Sequence, residues 1–252
     1  MFENEFIKKQ LQHRSIREFK EEAVDPEKLS AIRAVCMRTA SSNGLQQASV
    51  IRVTEPSLKK KIAELGGQKY IGRAPELWVF LSDAHRNLAL AKEKGLSKEP
   101  GFDTFLQGFT DAILMAQNAM SALESMDLGG VFIGSVLGKP QELIRLLHLP
   151  AGCFPALAMI FGTPNQDPQR KPRMGEELRI FENAYPSSMD WLEALQSYDR
   201  EMTRYADPRT PDTPADPFTD QVVKKLEGMV SDSRTPLDAI ARNGFSLGQK
   251  EE

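Results

Sequence analysis

Residues that bind metals are scarce in this sequence, with 3 histidines and 2 cysteines among 252 residues. His13, His85 and His148 share no helical spacing, which argues against a histidine-built metal site. Cys36 and Cys153 form no C-x-x-C and no zinc spacing, so both read as buried core thiols of a protein kept in a reducing compartment. An excess of positive charge is also missing. Lys and Arg number 32 against 35 Asp and Glu, a formal net charge of −3, and no basic field points to nucleic acid. No apolar run approaches the roughly 20 residues that a bilayer crossing needs. Residues 1–10 mix charges with apolar side chains and lack the uninterrupted apolar stretch of a signal peptide. The chain therefore reads as soluble and cytoplasmic, with no membrane partner. What is present is ordinary for a globule: 40% apolar and 27% charged residues, in a chain long enough to bury a large core.

Phe2, Phe6, Ile7 and Leu11 recur at helical spacing, so a short helix leads the chain in. Asp25-Pro26 is a cap followed by proline at the first helical position. That helix carries Leu29, Ile32, Val35 and Cys36 on one face, until Ser41-Ser42-Asn43-Gly44 breaks it. Residues 49–54 read as a strand, and Pro56 opens a helix that Gly66-Gly67 stops. The continuous apolar run at 77–81 reads as a strand buried on both faces. Residues 104–126 give the longest helical pattern, with a wide stripe from Phe105 and Phe109 to Met120 and Leu123. Such a helix is about 35 Å long and crosses a domain. Strands at 130–134 and 156–161 flank a helix opened by Pro140. Strands and helices alternate without a regular βαβ repeat. The fold class is thus α/β, or α+β: a small mixed sheet covered by helices.

After Tyr185 the texture changes. Trp191, Leu195, Tyr198, Met202 and Tyr205 alternate steps of four and three, the seam of another helix. Pro208, Pro211, Pro214 and Pro217 exclude helix and central strand from the loop that follows. Helices are expected at 221–230 and from Pro236 to Gly244. This tail reads as an arm lying over its own body or over a partner subunit.

Chemistry concentrates in short segments. His13-Arg14-Ser15-Ile16-Arg17 follows the first helix and is expected on irregular, exposed backbone; Lys171-Pro172-Arg173 lies far downstream. Each alone is no more than a basic turn. Together they supply guanidinium forks, an ammonium, a hydroxyl and an imidazole, the set that a doubly charged phosphate takes. The chain therefore reads as an enzyme built around a phosphorylated cofactor with a planar head. In extended backbone His13, Ser15 and Arg17 face one way. Gly66-Gly67-Gln68-Lys69 is a helix stop followed by an amide, which can exchange two hydrogen bonds with an imide edge, and a cation. Ser41-Ser42-Asn43 is a hydroxyl- and amide-rich helix end. Gly130, Gly134 and Gly138 do not give G-x-G-x-x-G, which excludes a Rossmann fingerprint, but glycine at a strand end lets a flat ring approach the backbone. No nucleophile–base pair stands out.

These segments, in this order, carry a resemblance. His13 to Arg17, Ser41-Ser42 with Leu45-Gln46, Gly66 to Lys69 before the Trp78-Val79-Phe80 strand, Leu128 to Gly134, Lys171 to Arg173, and Glu182-Asn183 with Tyr185 resemble the flavin-dependent nitroreductase family. The likeness is strongest to its oxygen-insensitive NADPH nitroreductase and flavin reductase branch, and it covers nearly the whole chain. It implies FMN held without a covalent bond at the interface of an intertwined homodimer. The core would be 1–184 and the arm over the partner 185–252, within one domain. By the same resemblance His13, Arg14, Ser15, Lys171 and Arg173 would hold the ribityl phosphate. Arg17 would lie near N1 and the C2 carbonyl, where negative charge gathers on the reduced ring. Gln68 and Lys69 would meet the pyrimidine edge, and Ser41 and Ser42 would come from the facing subunit. Phe132, Ile133, Gly134 and Ser135 would pass behind the ring. NAD(P)H would deliver hydride to flavin N5, and a nitroaromatic, a quinone or free flavin would then take two electrons; flavin binding without catalysis is the remaining alternative. The chain departs from the branch in two places. Phe132 stands where tyrosine is usual. The nucleotide-selecting loop is proline-rich, with Arg204 and Arg209 as its cations among Asp207, Asp212 and Asp216, so NADPH and NADH both stay open.

Overall fold

The computed structural model describes residues 4–208, 210, 213–228 and 234–248. The chain forms two compact units, Met1–Asp167 with Ser233–Glu252, and Pro168–Asp232. The first opens with α1 (Glu5–Leu11) and α2 (Pro26–Met37). Asp25 caps α2 by accepting the Glu27 N–H at 2.7 Å, a contact that contributes about 1 kcal/mol. Then come β1 (Ala48–Arg52), α3 (Pro56–Gly66), α4 (Tyr70–Arg73), β2 (Glu76–Asp83), α5 (His85–Glu93), α6 (Phe102–Ser125), β3 (Gly129–Ile133), α7 (Pro140–Leu146) and β4 (Cys153–Gly162). The short α4 and the amphipathic α5 stand where no element is expected from the sequence pattern.

The sheet has 4 strands in the order β1-β2-β4-β3. All of its pairings are antiparallel, with Val50 opposite Phe80, Trp78 opposite Met159 and Val131 opposite Ile160. A mixed sheet is expected from sequence, and the antiparallel pairing corrects that detail. The continuous apolar run at 77–81 within β2 and the apolar β4 arise because both are central strands covered on both faces, not because they pair in parallel.

Alternation along the strands divides the core into two layers. Trp78, Phe80, Met159 and Phe161 pack against Leu29, Ile32 and Cys36 of α2 and against Ala112, Ala116, Ala119 and Met120 of α6. The alanines let α6 lie close to the sheet, and Trp78 meets Phe161 edge-on at 5.2 Å. Leu77, Val79, Leu81, Ala158 and Ile160 face the other way, against Ile62 of α3, Ile71 of α4 and Leu143 of α7. A register shift at Phe80/Leu81 lets Ala156 share a face with Met159 and Phe161.

The second unit contains α8 (Trp191–Met202) and α9 (Phe218–Glu227). Asp199 of α8 ties them by accepting from the Thr219 N–H at 3.0 Å and its hydroxyl at 2.7 Å. The expected helix at 221–230 thus starts earlier, at Phe218, and Val230 lies outside the described residues. With α10 (Arg234–Arg242) the chain is back in the first unit, where Ala239, Ile240 and Phe245 join Phe105 and Phe154 in a third cluster. Among the described residues no helix is long and apolar enough to cross a membrane.

Candidate cofactor site

The first basic segment is irregular, as expected, but it is half-buried rather than exposed. The reason is the open edge of β3. Ile16 is 5% exposed and its N–H donates to the Gly130 carbonyl at 3.0 Å, filling an acceptor that β4 does not use. Gly129 makes this approach possible, because a Cβ there would lie 2.5 Å from Ile16 Cγ1. The segment then runs beside the end of β4, where Lys20 donates to the Thr163 carbonyl at 2.9 Å and Asn165 to that of Glu18 at 3.0 Å.

This anchoring sets the side chains around Ile16. His13 Nδ1 lies 2.6 Å from Glu124 Oε1 on α6. Arg14 pairs with Asp167, whose side chain is 90% exposed. Ser15 is half-buried. Arg17 Nη1 donates to the Ser15 carbonyl at 3.5 Å, while its Nε is buried and has no hydrogen-bond partner among the described residues. A buried guanidinium N–H left unpaired is costly, so this position suits an acceptor atom from a bound molecule.

The second group gathers around the end of β3. Gly67 closes α3 in the left-handed region (φ 67°), and the Gln68 N–H donates to the Ala63 carbonyl at 3.1 Å. The Gln68 side-chain Oε1 accepts from the Tyr70 hydroxyl at 2.8 Å and from Ser135 Oγ at 3.3 Å. The fold thus brings Gln68 and Ser135 together across 67 residues. With Oε1 occupied, the Gln68 amide N–H groups remain to donate elsewhere. Lys69 is exposed, Phe132 half-buried, and Ile133 packs in the core, so only the backbone of Ile133 is open to a ligand. Gly134 is exposed, and a Cβ there would meet nothing within 4 Å.

Ser41 and Ser42 sit on the segment between α2 and β1, beside a cavity of about 780 Å³ lined by Ser41, Gln46, Trp78, Arg86 and Asp111. Asp111 is buried, yet nothing in its local sequence marks it, because its partners come from 64 and 69 residues away. Glu124 escapes a sequence reading for the same reason, its partner His13 lying 111 residues away.

In the second unit Lys171 and Arg173 are both exposed. Arg173 Nη1 donates to the carbonyls of Lys171 (3.0 Å) and Pro172 (3.2 Å), and the Pro172 carbonyl also accepts from the Tyr198 hydroxyl at 3.2 Å. Burial raises the Tyr198 pKa, with the nearby Arg173 opposing it. Arg204 is exposed beyond the end of α8, while Arg209 lies outside the described residues.

The thiols offer no nucleophile. Burial pushes Cys36 up to about 11. Burial first, and then the Asp83 carboxylate that accepts the Cys153 thiol proton at 3.2 Å, pushes Cys153 up to about 12. What the residues can do is bind anions and present an amide and backbone to a planar ring. A flavin mononucleotide fits that donor set, with the buried Arg17 Nε and the open face at Gly134 as its clearest marks.

Comparison with known proteins agrees with this chemistry. The profile of the Nitroreductase family matches residues 11–163, and that of the Nitroreductase family, C-terminal domain, matches 171–248. The chain is 36% identical over 215 residues to an oxygen-insensitive NADPH nitroreductase of Salmonella typhimurium, covering 85% of this chain and 88% of the relative. It is 38% identical over 211 residues to an FMN reductase [NAD(P)H] of Bacillus subtilis, covering 82% and 85%. Its fold is similar to that of the NADPH:FMN oxidoreductase from Vibrio harveyi complexed with NAD+, with a TM-score of 0.84, 31% identity, and coverage of 96% and 99%.

Proposed function

This chain belongs to the nitroreductase family, and on that premise we propose that it is an FMN-dependent oxidoreductase passing electrons from NAD(P)H to nitroaromatics or quinones. The observation that carries the proposal is the buried Arg17 Nε, without a hydrogen-bond partner among the described residues, in a segment fixed to the edge of β3. When bound, FMN supplies the carrier that accepts and releases two electrons, chemistry that no side chain here provides.

The chain's own residues bind and orient. His13, Arg14, Ser15, Lys171 and Arg173 hold the phosphate; to do so, Arg14 exchanges its exposed partner Asp167 for phosphate oxygens. Arg17 offers its guanidinium to the N1 and C2-carbonyl edge, where a fixed positive charge favours the reduced ring. Gln68, oriented by Tyr70 and Ser135, donates to the pyrimidine edge with Lys69 beside it. Phe132, Ile133, Gly134 and Ser135 supply the backbone behind the ring. Ser41 and Ser42 reach it from the facing subunit of a homodimer, over which the arm at 185–252 extends from the 1–184 core. Arg204 and Arg209 meet the nicotinamide nucleotide. The working environment in this reading is the cytoplasm.

The purified protein is expected to be yellow, with the absorption bands of oxidised flavin, and to bleach on anaerobic titration with NADH or NADPH. Colourless protein that takes up no flavin on reconstitution would contradict the proposal. The relatives named as FMN reductase and NADPH-flavin oxidoreductase support a second reading, release of electrons to free flavin. Steady-state rates with free FMN against a nitroaromatic separate the two.

A further inference from the structure

The segment from Ser41 to Gln47 has an unusual backbone. Asn43 and Gln46 both adopt φ 53° and Gly44 φ 68°. Asparagine and glycine enter the left-handed region readily, but a longer side chain such as Gln46 is uncommon there and is held by its surroundings. Much of that constraint comes from α6. Asp111, 2% exposed, accepts the Ser42 N–H on one oxygen at 2.8 Å and the Gln47 N–H on the other at 3.2 Å. One turn earlier, Gln107 accepts from the Gln47 side-chain amide at 3.2 Å. Between them Gly108 lets the helix touch the loop, since a Cβ there would lie 2.9 Å from the Gln47 carbonyl oxygen. On the other side α5 contributes Arg86, which donates to the Gln46 carbonyl, and Asn87, which donates to that of Leu45 at 3.0 Å. Inside the loop, Ser41 Oγ accepts the Gln46 N–H at 2.8 Å, which leaves its hydroxyl proton to donate outward.

We propose that Asp111 is the positioning residue of this loop: it holds Ser41 and Ser42 in the conformation that offers their hydroxyls to the cofactor, without touching the cofactor itself. This rests on the flavin reading above. The carboxylate suits the task, because it presents a separate acceptor oxygen to each of the two backbone N–H groups and carries no donor to oppose either. An asparagine keeps one acceptor and turns an NH2 against the second N–H, so Asp111→Asn, nearly equal in shape, is the discriminating variant.

The test compares wild type, Asp111→Asn, Asp111→Ala and Met120→Ala, the last a core truncation on the same helix away from the loop. Three quantities are measured: FMN affinity of the apoprotein by titration, Tm, and amide hydrogen exchange at Ser42 and Gln47 without FMN. Asp111→Asn is expected to weaken FMN about tenfold and to speed exchange at both amides, with a smaller drop in Tm than Met120→Ala. Met120→Ala is expected to hold FMN within about twofold of wild type. If Asp111→Ala does not fold, Asp111→Asn carries the test. Wild-type FMN affinity in Asp111→Asn, unchanged exchange at Ser42 and Gln47, or FMN losses that simply follow Tm in both Asp111→Asn and Met120→Ala would each overturn the proposal. Failure of the wild type to bind FMN would instead remove the flavin reading on which it stands, and that is seen before any variant is compared.

Discussion

The two basic segments, one in each compact unit, are held in different ways. His13 to Arg17 is built into its unit: Ile16 is fixed to β3, His13 to Glu124 and Arg14 to Asp167. Lys171 to Arg173 is exposed, and among the described residues the hydrogen bonds of Arg173 go to carbonyls of its own segment. The first has its backbone fixed by the fold before any ligand arrives. The second is a pair of exposed cations held by contacts within the segment. In the proposed function the first segment would contribute a prearranged set of donors, and the exposed cations of the second would be ordered on binding at an entropic cost.

The largest effect is expected from breaking the anchorage of the first segment. Gly129→Val drives a side chain into Ile16 and Pro164, which a Cβ alone would approach to 2.5 Å and 3.0 Å. Stability should fall by about 3 kcal/mol, measured by urea unfolding, and FMN binding should fail with it. In the second segment Arg173→Ala is expected to cost about 2 kcal/mol of FMN affinity while leaving Tm of the apoprotein unchanged. A matching loss of Tm would mean that Arg173 is structural and would erase the contrast between the segments.

Arg17→Ala tests the unpaired group. Removing a cation from the N1 edge should weaken reduced flavin by about 1 kcal/mol more than oxidised flavin and lower the reduction potential accordingly. Spectroelectrochemical titration reads this, and an unchanged potential would place Arg17 away from that edge. The smallest effect concerns the core thiols. The folded-state pKa values of Cys36 and Cys153 lie above the ordinary 9.0, so the folded chain keeps protons that the unfolded chain releases. Their contribution to stability is complete below pH 9 and is lost as pH rises through about 11 and then about 12. Unfolding free energy should therefore show no thiol-linked slope between about pH 6 and 8. Alkylation of either thiol in the native protein at pH 8 would contradict this.

Much of the fold is legible along the chain because its signals are local. Asp25-Pro26, Pro56 and Pro140 mark helix starts, Gly67 a helix end, and the stripe of α6 declares a central helix. The strand order is not local. A doubly buried strand looks the same in a parallel and in an antiparallel sheet, which is why the sheet reads as mixed until the register is known. The site divides along the same line. The charged and amide residues that would touch a cofactor are conspicuous by type. The residues that hold them are an aspartate and a glutamate of ordinary appearance, and their partners lie far away in sequence. Glu124 meets His13 across 111 residues and Asp111 meets Ser42 across 69. Sequence thus displays the groups that do chemistry and hides those that give them their geometry.

The core of the proposed function is that both basic segments serve one phosphate. The most direct measurement is the affinity of apoprotein for FMN relative to riboflavin, taken for wild type, Arg14→Ala and Arg173→Ala. The account predicts that wild type prefers FMN by about 100-fold or more, and that either substitution removes most of this preference while riboflavin affinity stays nearly constant. Equal affinity for the two flavins in the wild type, or a preference that survives both substitutions, would contradict it.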